Sequence, residues 1–161
     1  MDTQIIVNHA QSKEELYNSL LPQIQSLLHG ENDLVANLAN VSAALKISFP
    51  SFSWVGFYLK KGDGLVLGPF QGKPACVRIA IGKGVCGTAA ERKETVIVPD
   101  VTRFPGHIVC DPDSCSEIVV PMIKGDLLGV LDVDSTQANN FDETDKMYLE
   151  KLIHMLIEKS F

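Results

Sequence analysis

Cysteines are the residues of this chain best suited to chemistry, and three of them lie in segments of different predicted structure. Cys76 lies in KPACVRI, a predicted strand; Cys86 lies in GKGVCGTAAE, at the start of a predicted helix; and Cys110 lies in the predicted loop FPGHIVCDPDS. This spacing does not form the paired clips of a structural zinc site. Because thiolates attack sulfur readily and oxidise reversibly, the pattern favours redox catalysis.

Each cysteine also has a plainer interpretation. Free cysteine is among the most buried residue types, so Cys76 and Cys86 could simply pack in a core. Against this, a position near a helix N-terminus favours the thiolate of Cys86. Cys110 lies in a loop with Gly, Pro and Asp and with His107 nearby, which is typical of a reactive residue. His107, Cys110 and Cys115 are the candidate ligands of a metal site. The spacing from Cys110 to Cys115 is at the loose limit for a zinc clip and there is no second clip, so we expect no metal site.

Three acidic residues are predicted to point toward one space. Asp132 and Asp134 alternate along the last predicted strand, so they share a face with Cα atoms roughly 7 Å apart. Glu117 begins the preceding strand, and Trp54 and Tyr58 share a face of the first strand. If these faces coincide, the acids could hold the ammonium of a small zwitterion and the aromatic rings its apolar end. Alternatively, the aspartates are solvated turn residues and Trp54 belongs to the core.

The rest of the acidic strand face is predicted to be apolar. Leu128 and Val130 have the same parity as the two aspartates. Carboxylates that are forced close together raise one another's pKa, so one of them would stay protonated near neutral pH. Such a pocket would offer both negative charge and a proton donor.

Composition restricts the class of protein. The 161 residues are predicted to form one domain, 1–161, and the chain needs no disulfide to bury a core. The net charge of −6 argues against a nucleic-acid partner. The N-terminal segment MDTQIIVNHAQSKEEL resembles no signal peptide, and no apolar run is long enough for a bilayer. We therefore expect a cytoplasmic protein without membrane contact, in which thiols are kept reduced.

Hydrophobic periodicity predicts the elements that must position these residues. Ser12 and Glu15 form a capping box before a helix that extends to about Leu28, and Asp142 caps the last helix. Further helices are predicted at 32–46 and 85–92, and strands at 51–60, 65–70, 76–81, 95–100, 117–123 and 126–135. Lys124-Gly125 should join the last two strands as a hairpin. The helical residues expected to face the core are Leu34, Val35, Leu38, Val41, Leu45, Met147, Leu149, Leu152, Ile153 and Leu156.

The predicted order of elements indicates an α+β fold. Helices at both ends of the chain would cover one face of an antiparallel sheet of about six strands, leaving a ligand pocket on the other face. The segment from Gly82 to Gly87 matches G-x-G-x-x-G, but only TAAERK separates it from the next strand. A parallel crossover needs more residues, so we do not interpret the segment as a dinucleotide site. Its glycines instead permit a sharp turn between strand and helix.

Taken together, these segments resemble the free methionine-(R)-sulfoxide reductases, which are single GAF domains that act on the free amino acid. The similarity runs from about Trp54 to Asp142. It is carried, in order, by SWVGFYL, LGPFQGKPACVRI, GKGVCGTAA, VPDV, FPGHIVCD, SEIVVP and GVLDVDS. The resemblance implies a GAF-like fold and a reductase that needs no bound cofactor and is recycled by an external dithiol such as thioredoxin.

The resemblance also implies roles for individual residues. Cys110 would attack the substrate sulfur and become a sulfenic acid, and Cys76 would resolve it as a disulfide. Cys86 would be an auxiliary thiol, whereas Cys115 has no counterpart in the family pattern and is either a bystander or a competing resolving thiol. The substrate would be bound by residues of the acidic and aromatic groups, namely Glu117, Asp132, Asp134, Trp54 and Tyr58. The family also implies a possible homodimer.

A second function remains open at the level of sequence. GAF domains are found mostly as sensors of small molecules such as cyclic nucleotides or amino acids. The segment Asn140-Phe141-Asp142-Glu143 is similar to a tetrad of cyclic-nucleotide GAF domains, although Asp142 and Glu143 are also ordinary residues for the start of a helix. The cysteines favour the enzyme over the sensor.

Overall fold

The computed structural model describes residues 3–161 of the chain. Its four α-helices are α1 (Lys13–Leu27), α2 (Leu34–Ser48), α3 (Gly84–Arg92) and α4 (Glu143–Ser160). Its six strands are β1 (Trp54–Lys61), β2 (Gly64–Gln71), β3 (Arg78–Ala80), β4 (Val96–Val98), β5 (Ser116–Lys124) and β6 (Asp126–Ser135). In this part of the chain no helix combines the length and apolar character that a membrane span requires.

The strands form one antiparallel sheet in the order β3-β2-β1-β6-β5-β4. Helices α2 and α4 pack on one face of the sheet, and α1 packs against these two helices. The short helix α3 packs on the other face against β5 and β6. This arrangement confirms the predicted α+β fold and the β5–β6 hairpin. Because all neighbouring strands are antiparallel, the sheet also lacks the parallel crossover that a dinucleotide fold needs.

Side-chain alternation divides the sheet into two apolar clusters. On the helix-covered face, Val55 and Phe57 of β1 and Leu131 and Val133 of β6 are fully buried against the three long helices. On the opposite face, Trp54, Tyr58, Val119 and Val130 pack with α3 and the loops around it. The strand residues therefore have the period of two that β-structure requires.

Helix boundaries agree with the capping signals. Ser12 accepts a hydrogen bond from the backbone of Glu15, whose side chain accepts one from the backbone of Ser12, and Asp142 caps α4 in the same reciprocal way with Asp145. Two of the predicted core residues are wrong, because Val35 and Met147 are 60% and 43% exposed. Val35 lies at the edge of the apolar stripe of α2, whereas Met147 lies on the exposed side of α4, opposite the buried Leu149 and Leu152.

A bulge in β6 corrects one of the predicted faces. The register shifts between Met122, which pairs with Gly129, and Ile123, which pairs with Leu127. Leu128 consequently packs on the helix-side core and Leu127 on the pocket side, so Leu128 does not share a face with Val130 as predicted. Gly129 permits the bulge, since a Cβ there would approach the carbonyl oxygen of Tyr58 to 2.3 Å.

A buried polar group joins the two ends of the chain and gives a first prediction. Asp145 is fully buried, and its carboxylate accepts hydrogen bonds from the Tyr17 hydroxyl at 2.7 Å and from Lys13 Nζ at 2.6 Å. We expect Tyr17→Phe to lower the free energy of unfolding by about 1–3 kcal/mol, because one carboxylate oxygen loses its donor. Urea unfolding with an unchanged m-value would measure the loss. Tyr148→Phe is the control, since the Tyr148 hydroxyl contacts the exposed residues Glu14 and Asn18. This substitution should lower the free energy of unfolding by less than Tyr17→Phe does. Equal losses in the two variants would contradict the role given to the bond between Tyr17 and Asp145.

Candidate active site

A disulfide joins two of the three cysteines singled out in the sequence. Cys76 and Cys110 are bonded, with Cα atoms 5.6 Å apart and a separation of 34 positions in sequence. Both are half-buried and both lie in loops. Placing Cys76 in a strand was wrong: β3 begins two residues later, at Arg78, because the sheet pairing of this segment is limited to three residues. Because loops are more mobile than sheet strands, the two residues can move apart when the disulfide is reduced.

The acidic and aromatic residues meet on three adjacent strands. Asp134 of β6 lies directly opposite Glu117 of β5 on one side and Trp54 of β1 on the other. Asp132 lies two residues back on the same face of β6. The structure thus confirms that the faces coincide, and the two aspartates are part of the pocket rather than solvated turn residues.

One pocket collects nearly all of the predicted site residues. Its lining includes Cys110 and Cys86. Among residues 3–161, Cys76 is not one of the residues that line the pocket. The remaining lining residues are Trp54, Tyr58, Lys73, Pro74, Ala75, Ile79, Lys83, Gly84, Val85, His107, Ile108, Asp111, Ser114, Glu117, Asp132 and Asp134. A small molecule in the pocket would therefore contact Cys110, while its disulfide partner Cys76 lies outside the lining.

The aromatic wall is held rigidly and is tied to the segment of Cys76. The rings of Trp54 and Tyr58 are stacked with centroids 6.0 Å apart. The Trp54 indole donates to the carbonyl of Lys73 at 3.0 Å, and the Tyr58 hydroxyl donates to the carbonyl of Cys76 at 2.9 Å. The wall therefore positions one half of the disulfide as well as lining the pocket.

The carboxyl groups hold protons that free carboxyls would release. Burial, followed by the charges of Asp132 and Asp134, raises the pKa of Glu117 well above its ordinary value. Burial and the charge of Asp132 raise the pKa of Asp134 in the same direction. Burial also raises the pKa of Asp132, but hydrogen bonding to Glu117 and Cys86 opposes the rise. Glu117 is therefore the group in this cluster best placed to carry a transferable proton.

The ionisation of the buried Cys86 thiol differs from the prediction. Gly84 opens α3 with φ +61°, which places Cys86 in the first helical turn as expected. Burial and the nearby Asp132 and Glu117 nevertheless raise the pKa of its thiol well above the ordinary value. The Cys86 thiol lies 3.9 Å from Oε1 of Glu117. Desolvation and negative charge outweigh the helix dipole here, so the predicted thiolate is disfavoured.

Two contacts of the site were not predicted from the sequence, that of Lys73 and that of His107 with Glu117, although His107 itself was noted beside Cys110. Lys73 Nζ lies 2.7 Å from Asp113 and 3.3 Å from Asp111, which links the loop of Cys76 to the loop of Cys110. Only the tertiary fold brings these loops together, so no local signal could reveal the pair. His107 lines the pocket with Nε2 3.9 Å from Glu117, and burial lowers its pKa. A neutral imidazole at this place leaves the acidic cluster without a counter-charge from His107.

The raised carboxyl pKa values predict a pH dependence of stability. We expect the free energy of unfolding to fall as pH rises above about 4.3, the ordinary Glu pKa. Above that pH the unfolded chain has released the proton that folded Glu117 keeps, so deprotonation favours unfolding. Glu117→Gln should reduce this slope in urea unfolding measured from pH 5 to 9. Glu94 is exposed, so Glu94→Gln is the control and should keep the wild-type dependence of stability on pH. If the plots of unfolding free energy against pH were parallel for Glu117→Gln and wild type, burial of Glu117 would not be the cause of the slope.

Comparisons with known proteins agree with this geometry. The GAF domain family model matches residues 32–154. The chain belongs to the GAF-domain proteins, whose fold is the curled six-stranded antiparallel sheet with helices described above. GAF domain-containing protein A of Dictyostelium discoideum is 58% identical over 147 residues, covering 90% of this chain and 92% of the relative.

More specific relatives define a subfamily. The free methionine-R-sulfoxide reductase of Saccharomyces cerevisiae is 48% identical over 158 residues, covering 92% of this chain and 87% of the relative. The X-ray structure of free methionine-R-sulfoxide reductase from Neisseria meningitidis, in complex with its substrate, matches with a TM-score of 0.95 at 47% identity. That match covers 98% of this chain and 95% of the other. Within the GAF-domain proteins, the chain is a member of the free methionine-R-sulfoxide reductases.

Proposed function

We propose that this chain reduces free L-methionine-(R)-sulfoxide to methionine by thiol chemistry at the Cys76–Cys110 pair. One observation carries the proposal: one residue of the disulfide, Cys110, lines a pocket that also contains buried carboxyl groups and an aromatic wall. A thiol pair that can close into a disulfide supplies the two electrons that a sulfoxide reduction consumes.

Cys110 performs the first step. Its thiolate attacks the sulfoxide sulfur, Glu117 protonates the sulfoxide oxygen, and the oxygen is transferred so that methionine leaves and Cys110 becomes a sulfenic acid. The oxide is a poor leaving group, so the buried protonated carboxyl of Glu117 lowers the barrier. The substrate sulfur is reduced, and the Cys110 sulfur is oxidised by the same two electrons.

The pocket binds the two ends of a free amino acid in different ways. Asp132 and Asp134 bind the ammonium group as carboxylates, because its positive charge favours their deprotonated forms. A peptide-bound methionine lacks this group. The stacked rings of Trp54 and Tyr58 contact the methyl-sulfinyl end. The buried acids therefore select the free amino acid over methionine in a protein chain.

Cys76 resolves the intermediate. Its thiol attacks the Cys110 sulfenic acid, water leaves, and the disulfide forms. An external dithiol, for which we propose thioredoxin, then reduces the disulfide and becomes oxidised itself. Cys86 is buried and unbonded, and Cys115 is free with its sulfur 3.6 Å from the carbonyl of Asp113, so neither is the first resolving thiol in this scheme.

The sensor alternative has less support in the structure. Phe141 is buried in the helix-side core and Asp142 caps α4, so the tetrad that resembles cyclic-nucleotide domains serves the start of a helix. These residues are not part of the pocket lining. Calorimetric titration should show no binding of cyclic nucleotides to the reduced protein, whereas tight binding without turnover would favour the sensor.

An epimer-resolved turnover assay tests the proposed function. Purified protein is supplied with the free R epimer, the free S epimer or a methionine sulfoxide peptide, together with thioredoxin, thioredoxin reductase and NADPH. We expect NADPH oxidation with the free R epimer alone. Equal rates with the peptide would contradict the role of Asp132 and Asp134 in binding an ammonium group.

A further inference from the structure

Three buried side chains of the pocket form a set of donors close enough for one metal ion. Cys86, Glu117 and Asp132 each offer one ligand atom, and these atoms all lie within 4.8 Å of one another. Each side chain is at most 6% exposed. They come from α3, β5 and β6, so the sheet and the helix packed on it hold the three donors in place.

A second observation shows that this cluster is incomplete as a hydrogen-bonded network. Oδ1 of Asp132 is buried and accepts no hydrogen bond from an N–H or hydroxyl group among residues 3–161, so a proton shared with Glu117 or Cys86 is the partner that the cluster itself supplies. The Cys86 sulfur makes only a long contact, 3.9 Å, to Glu117. Buried polar atoms almost always have partners, so a buried carboxylate oxygen aimed into a pocket points to a ligand. A bound cation would replace the shared proton and supply that partner.

The donor types select the class of cation. One sulfur and two carboxylate oxygens suit a borderline-soft divalent ion that accepts four ligands, as Zn²⁺ does. Mg²⁺ and Ca²⁺ prefer six or more oxygen ligands and do not favour thiolates. We propose that Cys86, Glu117 and Asp132 bind a thiophilic divalent cation of the zinc type, with the fourth coordination position open to the pocket. Cys86 binds as the thiolate and releases its proton to solvent.

The site has a consequence that rests on the proposed function. Asp132 and Glu117 are also the groups assigned to the substrate's ammonium and to proton transfer. The cation and the substrate therefore exclude one another, and Zn²⁺ should inhibit turnover competitively with respect to free methionine-R-sulfoxide. The buried thiol of Cys86 would then connect the availability of thiophilic metal to the rate of sulfoxide reduction.

Cobalt binding to the oxidised protein tests the site directly. The Cys76–Cys110 disulfide keeps both of those sulfurs from binding metal, so Cys86 and Cys115 are the remaining thiols. Titration with Co²⁺ should show one equivalent bound, with thiolate-to-cobalt charge-transfer absorption that Zn²⁺ abolishes by displacement. Cys86→Ser should remove this absorption and weaken binding by about tenfold or more, because even outer partners of metal ligands have effects of that size. Asp132→Asn should weaken binding without removing the absorption.

Cys115→Ser is the matched control and should behave as wild type. The proposal is overturned if wild type shows no charge-transfer band, or if the band disappears in Cys115→Ser and remains in Cys86→Ser. Turnover of the wild type in the presence of EDTA separates the two proposals. Normal turnover without cobalt binding removes only the metal site, whereas absent turnover with a normal cobalt site removes only the proposed reaction.

Discussion

Cys110→Ser is expected to reduce kcat/KM for free methionine-R-sulfoxide by roughly a thousandfold or more, with folding unchanged. A serine hydroxyl is a far weaker nucleophile toward sulfur at neutral pH, and it cannot accept the oxygen as a sulfenic acid. The loss corresponds to about 4 kcal/mol or more of transition-state stabilisation. The thioredoxin-coupled oxidation of NADPH measures it.

The matched control for this substitution is Cys115→Ser. Cys115 lies five residues along the same connection and is free, but it does not line the pocket. We expect the control to retain the wild-type rate. If Cys110→Ser kept full activity, or if Cys115→Ser lost it, the assignment of the nucleophile would be wrong.

Glu117→Gln should have the second-largest effect, a fall in kcat of about 10²–10⁴-fold with a smaller change in KM. The amide has the shape of the carboxyl group but cannot transfer a proton to the sulfoxide oxygen. In wild type, kcat should fall as pH rises through the raised pKa of Glu117, since the deprotonated carboxylate is no longer an acid. Glu117→Gln should lack this alkaline limb.

The pH profile separates a catalytic role of Glu117 from a structural one. A residue that only shapes the pocket would lower kcat by a constant factor at every pH. An alkaline limb that persists unchanged in Glu117→Gln would therefore show that another group donates the proton. Glu94→Gln, an exposed change of the same chemistry, should leave both rate and profile intact.

Much of the site could be predicted from the alternation of side chains in strands. Glu117, Asp132, Asp134, Trp54 and Tyr58 meet because each lies on the pocket face of its strand, and parity alone determines that face as long as the strand is regular. The family resemblance supplied the pairing of Cys76 with Cys110, which the disulfide confirms. The helix caps Ser12 and Asp142 could also be predicted from the sequence, because capping depends on residues close together in the chain.

The errors arise where tertiary structure overrides local pattern. Leu128 changes face at a bulge that Gly129 permits, because a side chain there would collide with Tyr58 of the neighbouring strand. The pKa of Cys86 depends on acids that are 31 or more residues away in sequence. The link from Lys73 to Asp111 exists only because two loops meet above the sheet. None of these effects has a signal within a short window of sequence.

The most direct test of the account is a single turnover without external reductant. Fully reduced protein is mixed with one equivalent of free methionine-R-sulfoxide, alkylated and digested, and the disulfide-linked peptides are identified by mass spectrometry while methionine is quantified. The proposed mechanism predicts one methionine and one Cys76–Cys110 disulfide per protein molecule, with Cys86 and Cys115 alkylated. Methionine formed with all four cysteines still reduced, or with a disulfide that leaves Cys110 free, would contradict it.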